Sequence, residues 1–468
     1  MPESRRSAQP AALWAPRAWL DDGWHDAVLL SIGDDGRWTE IAPGVRSPPE
    51  GAAVLDGPVL PGLVDAHSHA FQRAFAGLAE QREAATDDFW SWRDRMYEVA
   101  SRVTPAELRA IAAHLYVELL RGGYTHVCEF HYLHHDSDGR SYADPLEMAW
   151  AIADGAGEAG IGLTLLPVLY ERAGFALPEL RDDQRRFATT AQSVHAAQHQ
   201  IAAARRPLLN AGLAIHSLRA ASPASIASLA SLARDLDGPV HIHVAEQMSE
   251  VNECVAATGV RPIQWLVREG LLDARWQLVH ATHSLPSEIE AVASRSAGVV
   301  LCPSTEGNLG DGLADLSGWL ASGASMSIGS DSQVTRNWPE ELRWLDYGQR
   351  LALHKRNVAA APEFNTPSTA QRLFSLTVRS GAVAAGEAKW GLSPGARADA
   401  LVVDTHDPAL VGIPPSRLLD AIVFASAERP FRDCVVGGRF VMRDHVHPEA
   451  GAIAARFETA MHALWNQG

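Results

Sequence analysis

Residues 59–69 read VLPGLVDAHSH, a short apolar run that ends in two histidines separated by one residue. Similar runs recur along the chain, and each is followed by a longer stretch rich in alanine and leucine. The runs are VLPGLVDAH (59–67), YTHVCEF (124–130), IGLTLLPVLY (161–170), GLAIHS (212–217), PVHIHVAE (239–246), WQLVHA (276–281), GVVLCP (298–303) and SMSIGSD (325–331). This alternation predicts repeated βα units, and eight strands predict an α/β fold with a (β/α)₈ TIM-type barrel.

Short β-like runs also occupy both ends of the chain. They lie in residues 1–58 and again after about residue 390, as ADALVVDTHDPA, DAIVFAS and FRDCVVGGRFVMRD. Each group is too small to fold alone, so we predict that the two pair into one composite β-sandwich beside the barrel. The expected organisation is a sandwich part at 1–58, the barrel at 59–388, a second sandwich part at 389–448 and a final helix at 449–468.

The composition of the 468 residues bounds the class of protein. Hydrophobic residues make up 47% and charged residues 21%, which is typical of a globular chain. The net charge of −16 argues against nucleic-acid binding, which needs a basic surface. We find no signal peptide, no run of about 20 apolar residues for a membrane span and no CxxC pair among the four cysteines. We therefore expect a cytoplasmic protein.

Potential metal ligands follow four of the predicted strands, at the end where the active sites of such barrels lie. Residues two apart on a strand point to the same face, so His67 and His69 can both project into the barrel mouth. His243 ends the fifth strand and Asp331 the eighth. Three imidazoles and one carboxylate suit Zn²⁺, with Fe²⁺ as the alternative.

Two further residues near these strand ends suit acid–base chemistry. We expect Glu246, three residues after His243, to lie near the ion and carry a proton, and His280 to orient the attacking water. An ion held in this way lowers the pKa of water toward about 7. The sequence leaves open whether His241 or His243, and His280 or His283, faces the barrel centre.

These motifs resemble a known family. PGLVDAHSH, HIHVAEQ, LVHATH and SIGSDS, in that order, resemble the deaminase branch of the amidohydrolase superfamily. The resemblance covers nearly the whole chain, including GLSPGARADALVVD, which is similar to the segment that re-enters the family's β-sandwich. Branches with two metals typically carry a lysine on the fourth strand, but the two lysines here are Lys355 and Lys389, so the resemblance implies one ion. It places that ion on His67, His69, His243 and Asp331.

Five local motifs narrow the resemblance within the superfamily. HSHAFQRAFAGLAE, DFWSWRDRMY, EFHYLHH, HSLRA and CPSTEGNLGDG together resemble the formimidoylglutamate deiminase family. This implies hydrolysis of a linear amidine C–N bond, in which N-formimino-L-glutamate and water give N-formyl-L-glutamate and ammonia during histidine degradation. It also implies a homodimer, with Glu246, His280 and Asp331 as the catalytic residues.

A dicarboxylate substrate predicts arginines in the pocket, because the guanidinium fork meets a carboxylate with two hydrogen bonds. Arg219, three residues after His216, is our first candidate, and Arg93 is the second. The resemblance suggests that the segment around Arg93 reaches into a neighbouring subunit's site. Gln72, Tyr132 and His216 are the candidates for neutral hydrogen bonds to the substrate.

Three alternatives remain open at this stage. A deaminase of the same branch acting on a purine, pyrimidine or nucleoside ring would share the metal ligands. A formiminoglutamate hydrolase that releases formamide belongs to a different, arginase-like fold. A catalytically dead barrel that serves as a binding protein would have lost an acid–base residue, whereas Glu246, His280 and Asp331 are all present.

Overall fold

The computed structural model describes residues 10–21, 23–82, 88–425 and 430–465. The strands are β1 (Ala12–Leu20), β2 (Gly23–Ile32), β3 (Trp38–Ala42), β4 (Ala53–Val54), β5 (Val59–Leu60), β6 (Leu63–Ser68), β7 (Tyr124–His131), β8 (Gly162–Leu169), β9 (Leu209–Ala211), β10 (Leu213–Ile215), β11 (Val240–Val244), β12 (Trp276–His280), β13 (Gly298–Leu301), β14 (Ser325–Ile328), β15 (Ala400–Val403), β16 (Phe431–Val436) and β17 (Arg439–Met442).

The helices lie mostly between the strands of the central sheet. They are α1 (Phe89–Ala100), α2 (Pro105–Arg121), α3 (Glu147–Ala159), α4 (Ala191–Ala203), α5 (Pro223–Leu232), α6 (Met248–Thr258), α7 (Pro262–Arg268), α8 (Pro286–Ala293), α9 (Pro303–Leu309), α10 (Leu316–Ser322), α11 (Trp338–Leu353), α12 (Thr369–Ala385), α13 (Leu418–Phe424) and α14 (Ala450–Trp465). No helix in the described part of the chain is long and apolar enough to cross a membrane.

The central sheet is a parallel barrel. Its strand order is β6-β7-β8-β10-β11-β12-β13-β14, with β9 paired to β8. A parallel bridge between Ser68 and Asp331 brings the first and last strands together. Every residue of β7 and of β8 is buried, as expected for parallel strands covered on both faces. The predicted (β/α)₈ barrel is confirmed, and each of the eight predicted runs contains one of its strands.

A second sheet is built from both chain ends, as predicted. Its order is β17-β16-β15-β5-β1-β2-β3, and it encloses a hydrophobic core of its own. Val59 and Leu60 pair with β15 in this sheet, so the first predicted run divides between the two sheets. The division falls at Pro61, which has no N–H for a ladder, and at Gly62, where a Cβ would lie 2.2 Å from the Thr125 hydroxyl oxygen.

Two segments near the C-terminus are helical, and only one of them was predicted to be a helix. The run DAIVFAS (420–426) was expected to be a strand, but residues 418–424 form α13, which packs against α11 and α12. A short apolar run fits either a buried strand or a buried helix, and contacts with neighbouring helices decide between them here. The final helix is present as α14; residues 466–468, like residues 1–9 of the predicted N-terminal part, lie outside the described residues.

One buried arginine joins the two sheets. Arg397, just before β15, forms a two-bond ion pair with Asp399 at 2.7 and 3.0 Å. It also contacts His126 Nδ1 at 2.9 Å and donates to the Thr125 carbonyl at 3.1 Å, both on barrel strand β7. Its guanidinium carbon lies 4.8 Å from the centroid of the Trp390 ring. These contacts hold the second sheet against the amino-terminal end of β7.

Candidate metal centre

Four strand ends bring five donor side chains together at the carboxyl end of the barrel. His67 Nε2 lies 2.9 Å from His243 Nε2 and 3.4 Å from Asp331 Oδ1. His69 Nε2 lies 3.3 Å from the same Asp331 oxygen. His280 Nε2 is 3.8 Å from Asp331 Oδ2, and its ring stacks on His243 with centroids 5.5 Å apart. All five side chains are buried.

Two overlapping sets of these donors could hold an ion: His67 with His69 and Asp331, and His67 with His243 and His280, each with ligand atoms within 4.8 Å of one another. Ligand atoms about 2.0–2.1 Å from zinc are separated by roughly 3.3 Å at the tetrahedral angle, close to the distances from the Asp331 oxygen to His67 and His69. His69 Nδ1 lies 3.0 Å from the Phe130 carbonyl oxygen and can donate to it, which leaves Nε2 unprotonated toward the centre. Burial lowers the pKa of His67 to about 4 and that of His69 to about 3, so both imidazoles are neutral, as metal ligands must be.

Buried carboxylates hold the ligand-bearing loops in place. Glu129 on β7 accepts from the Ala70 N–H at 2.6 Å and from the Ser68 hydroxyl at 3.0 Å, which fixes the turn after His67. Asp65 accepts from the Ser330 N–H at 2.9 Å and so ties the first strand to the eighth. Burial raises the pKa of Asp65 to about 7 and that of Glu129 to about 8.

Backbone strain concentrates at the same strand ends. His280 has φ +67°, Asp331 has φ +47°, and Ala245, between His243 and Glu246, has φ +53°. Non-glycine residues in this left-handed region cost free energy, and they persist where the surrounding structure holds them for function. The backbone is therefore held in place to aim these side chains into the barrel mouth.

The predicted acid–base residues lie beside the ligand cluster. Glu246 Oε1 is 3.7 Å from His280 Nε2, and His280 Nδ1 is 3.3 Å from Glu306 Oε1. Burial raises the pKa of Glu246 to about 7. Burial alone would lower the pKa of His280, but the carboxylates of Glu246, Glu306 and Asp331 raise it to about 10. The pair can therefore take up and release protons next to the ligand cluster.

The structure resolves both histidine ambiguities. His241 is turned away from the cluster, because its Nε2 lies 2.9 Å from the Ala384 carbonyl oxygen at the end of α12. His283 is only partly buried, whereas His280 is buried and its Nε2 lies 3.7 Å from Glu246 and 3.8 Å from Asp331. His243 and His280 are thus the members of each pair that face the centre.

Two arginines lie close to the histidine cluster. Arg219 follows β10 and is 5% exposed, and Arg93 lies on α1. Their guanidinium carbons lie 5.4 and 4.5 Å from the centroid of the Trp90 ring, and the charges of both lower the pKa of His216, which is lowered mainly by burial. Arg219 Nη1 and Arg93 Nε are buried without a hydrogen-bond partner among the described residues. A guanidinium nitrogen buried without an acceptor is costly, which points to an anionic ligand.

The predicted neutral contacts lie between the arginines and the metal donors. Gln72 Nε2 donates to Tyr132 Oη at 3.1 Å, and Gln72 Oε1 is buried without a described partner. The Tyr132 ring lies 5.1 Å from His69 and 5.5 Å from His216, and His216 lies 5.0 Å from His243. All five residues predicted to bind substrate therefore lie near one another, beside the proposed metal donors.

Sequence reasoning passed over several residues of this site. Glu306 was noted in CPSTEGNLGDG but not chosen, and Asp311 in the same motif was not considered. Tyr97 and Tyr170, whose hydroxyl oxygens are 3.2 Å apart, form a polar wall next to Arg93 and Arg219. The motif itself was the available signal for the two acids, whereas nothing local marks the tyrosines.

Known proteins resemble this chain in both sequence and fold. A model of the amidohydrolase family matches residues 59–441. Formimidoylglutamate deiminase of Pseudomonas aeruginosa is 46% identical over 441 residues, covering 93% of this chain and 96% of that protein. The crystal structure of an amidohydrolase from Brucella melitensis is 39% identical with a TM-score of 0.91, covering 97% of this chain and 99% of that one. An adenosine deaminase from Xanthomonas campestris with bound zinc shares the fold at 21% identity and a TM-score of 0.78, covering 97% of this chain and 98% of that one.

Proposed function

This chain belongs to the amidohydrolase family, and on that premise we propose that it hydrolyses N-formimino-L-glutamate to N-formyl-L-glutamate and ammonia. The observation that carries the proposal is the pair Arg93 and Arg219, whose buried guanidinium nitrogens lack partners close to the histidine cluster. A substrate with one carboxylate beside the amidine-bearing α-carbon and a second at the end of its side chain needs cationic groups close to the metal donors. The Pseudomonas aeruginosa relative is named for that reaction and supports the same substrate.

We propose His67, His69, His243 and Asp331 as the metal ligands. The fit rests on the donor set, since neutral imidazoles and one carboxylate suit Zn²⁺ and, second, Fe²⁺. The absence of a lysine from β10 in the sequence supports one ion rather than two. Such an ion supplies Lewis acidity and makes water nucleophilic near neutral pH.

Three side chains would then manage the protons. Asp331 accepts the proton of the attacking water, and Glu246 carries a proton to the terminal nitrogen so that it leaves as ammonia. His280 donates a hydrogen bond to the oxygen that develops negative charge at the tetrahedral carbon. Its Nδ1 lies against Glu306, which leaves Nε2 directed toward Glu246 and Asp331. Each acid–base contribution is worth about 10²–10⁴-fold in rate.

The remaining predicted residues hold the substrate. We assign the two carboxylates to Arg219 and Arg93, since a guanidinium binds a carboxylate through two hydrogen bonds. Gln72, Tyr132 and His216 provide neutral hydrogen bonds between those arginines and the reacting carbon. The Trp90 ring, which lies beside both guanidinium groups, would exclude water from their contacts with the carboxylates.

A substrate panel tests the proposal. Ammonia release is measured at steady state with N-formimino-L-glutamate, and in parallel with guanine, adenosine, 5-methylthioadenosine and cytosine. We expect turnover of N-formimino-L-glutamate alone, with N-formyl-L-glutamate as the second product. Turnover of a ring substrate with none of N-formimino-L-glutamate would overturn the proposal in favour of a purine, pyrimidine or nucleoside deaminase.

We further propose that the enzyme carries one zinc per chain and acts as a cytoplasmic homodimer in histidine degradation. Zinc is supported by the donor set and by the zinc in the Xanthomonas campestris structure, which shares this fold. Metal analysis of protein purified without chelator should give about one zinc per chain, and light scattering should give the mass of two chains. Finding iron in place of zinc would overturn the proposed metal. A mass equal to one chain would overturn the proposed dimer.

A further inference from the structure

Asp311 is a buried carboxylate that the proposed reaction has not yet used. It follows α9 in the loop before α10 and is 5% exposed. One of its oxygens, Oδ1, accepts a hydrogen bond from Gln247 Nε2. The other, Oδ2, is buried and has no hydrogen-bond partner among the described residues. A carboxylate oxygen without a donor in a buried site is a place for a ligand that supplies one.

The neighbours of Asp311 place that oxygen at the reacting end of the pocket. An oxygen of Asp311, an oxygen of Glu246 and a ring nitrogen of His280 all lie within 4.8 Å of one another. A planar –NH₂⁺ group has two N–H bonds about 120° apart. With charge-assisted hydrogen bonds of about 2.7–2.9 Å, the two oxygens that accept from it lie about 4.7–5.0 Å apart. Asp311 and Glu246, with oxygens no more than 4.8 Å apart, are thus close enough for both to accept from one amidinium nitrogen placed between them.

We propose that Asp311 and Glu246 together bind the terminal –NH₂ of the protonated formimino group, with one N–H donated to each carboxylate. This inference rests on the proposed function and deepens it, because it assigns the residue that reads the amidine. Amidines are strong bases and are protonated near neutral pH. The pocket would thus bind a zwitterionic substrate, with carboxylates toward Arg93 and Arg219 and the cation toward Asp311.

The raised pKa of Asp311 in the unliganded chain is consistent with the binding of a cation between Asp311 and Glu246. Burial and the nearby Glu246 carboxylate raise the pKa of Asp311 to about 9. A cation between the two carboxyl groups would relieve their repulsion and favour the ionised form of Asp311. The backbone supports the same placement, because Gly310 has φ +69° and Gly312 has φ +128°, which turns the loop on both sides of Asp311.

Asp311 would also distinguish substrate from product. Hydrolysis replaces the –NH₂⁺ group by a formyl oxygen, which has lone pairs and no N–H to donate. That oxygen would face two carboxyl groups that can no longer accept from it, so the product binds weakly and leaves. Asp311 and Glu246 would thus favour substrate over product both by binding the –NH₂⁺ group and by repelling the formyl oxygen.

The variant Asp311→Asn tests this role because it keeps the size of the side chain and introduces an N–H donor. We expect kcat/KM for N-formimino-L-glutamate to fall about 10- to 100-fold, as for loss of a charged hydrogen bond. Inhibition by N-formyl-L-glutamate should become about 5-fold stronger or more, because the new amide can donate to the formyl oxygen. Metal content should not change. Asp315→Asn is the matched control, since Asp315 caps α10 four residues later and asparagine caps helices equally well.

Opposite changes for substrate and product would support the inference, since mere distortion of the loop would weaken both ligands. Weaker binding of both, or no change in either beside an active wild type, would overturn it and leave the proposed function standing. If the wild type releases no ammonia from N-formimino-L-glutamate, the proposed function fails and the role of Asp311 fails with it.

Discussion

Replacing Arg219 by methionine should weaken substrate binding and destabilise the free protein at the same time. The guanidinium is 5% exposed, lies 5.4–5.7 Å from the Trp90 and Phe89 ring centroids, and forms no salt bridge among the described residues. Methionine retains the packing against those rings. Leaving a substrate carboxylate without its buried partner costs about 3–5 kcal/mol, so KM should rise by about 10²-fold to a few thousand-fold. Because the contact exists in both ground and transition states, kcat should change less than about tenfold.

The free protein should lose stability as well. Burial alone would lower the pKa of Arg219, but the carboxylates of Glu250 and Glu246 raise it, so removing the guanidinium leaves those buried acids without its attraction and should lower the thermal midpoint. Steady-state kinetics and calorimetry on wild type and Arg219→Met measure both effects. Arg268→Met, at a half-exposed position on α7, is the control and should change neither. An unchanged KM, or a fall in kcat with KM intact, would refute the carboxylate-binding role.

Three further predictions concern the metal, the proton carrier and acid stability. His243→Ala should lose bound metal and activity together, by metal analysis and ammonia assay; full metal content in this variant would contradict its role as a ligand. Glu246→Gln should keep its metal but lose about 10²–10⁴-fold in kcat, and near wild-type turnover would exclude proton transfer by Glu246. Burial lowers the pKa of His134 to about 3, so its neutral form stabilises the fold fully above about pH 6.5, and that contribution is lost as the pH falls. The thermal midpoint should therefore fall from pH 7 to pH 5, and less steeply in His134→Asn; equal slopes would assign the acid sensitivity to other groups.

The barrel and the clustering of the proposed metal donors could be predicted because their signals are local. A strand shows itself as a short apolar run, and the alternation of side chains places His67 and His69 on one face. Whether His241 or His243 faces the barrel centre depends on the contact between His241 and α12. The local sequence does not predict that contact. The same holds for residues 418–424, whose helical form follows from packing against α11 and α12.

Asp311 and Glu306 show why the site was only partly predictable. Their place in the pocket depends on the path of the loop after β13, which the left-handed Gly310 sets at the end of α9. A motif such as CPSTEGNLGDG records that such a loop exists but not which of its acids turns inward. The arginines were easier to foresee, because the chemistry of the expected substrate demanded them.

The second sheet cannot be completed until nearly the whole chain has been synthesised. Leu60 pairs with Leu401, and Trp38 donates its N–H to the Ala396 carbonyl, so the early strands wait for partners made about 340 residues later. At about 5–20 residues per second, the ribosome takes roughly 20–70 s to deliver them. During that interval β5, β1, β2 and β3 can pair in that order, but the edge of β5 that takes β15 remains open, and open edges recruit other chains. A transcript truncated after the barrel would therefore encode every metal donor and still yield a chain prone to aggregate.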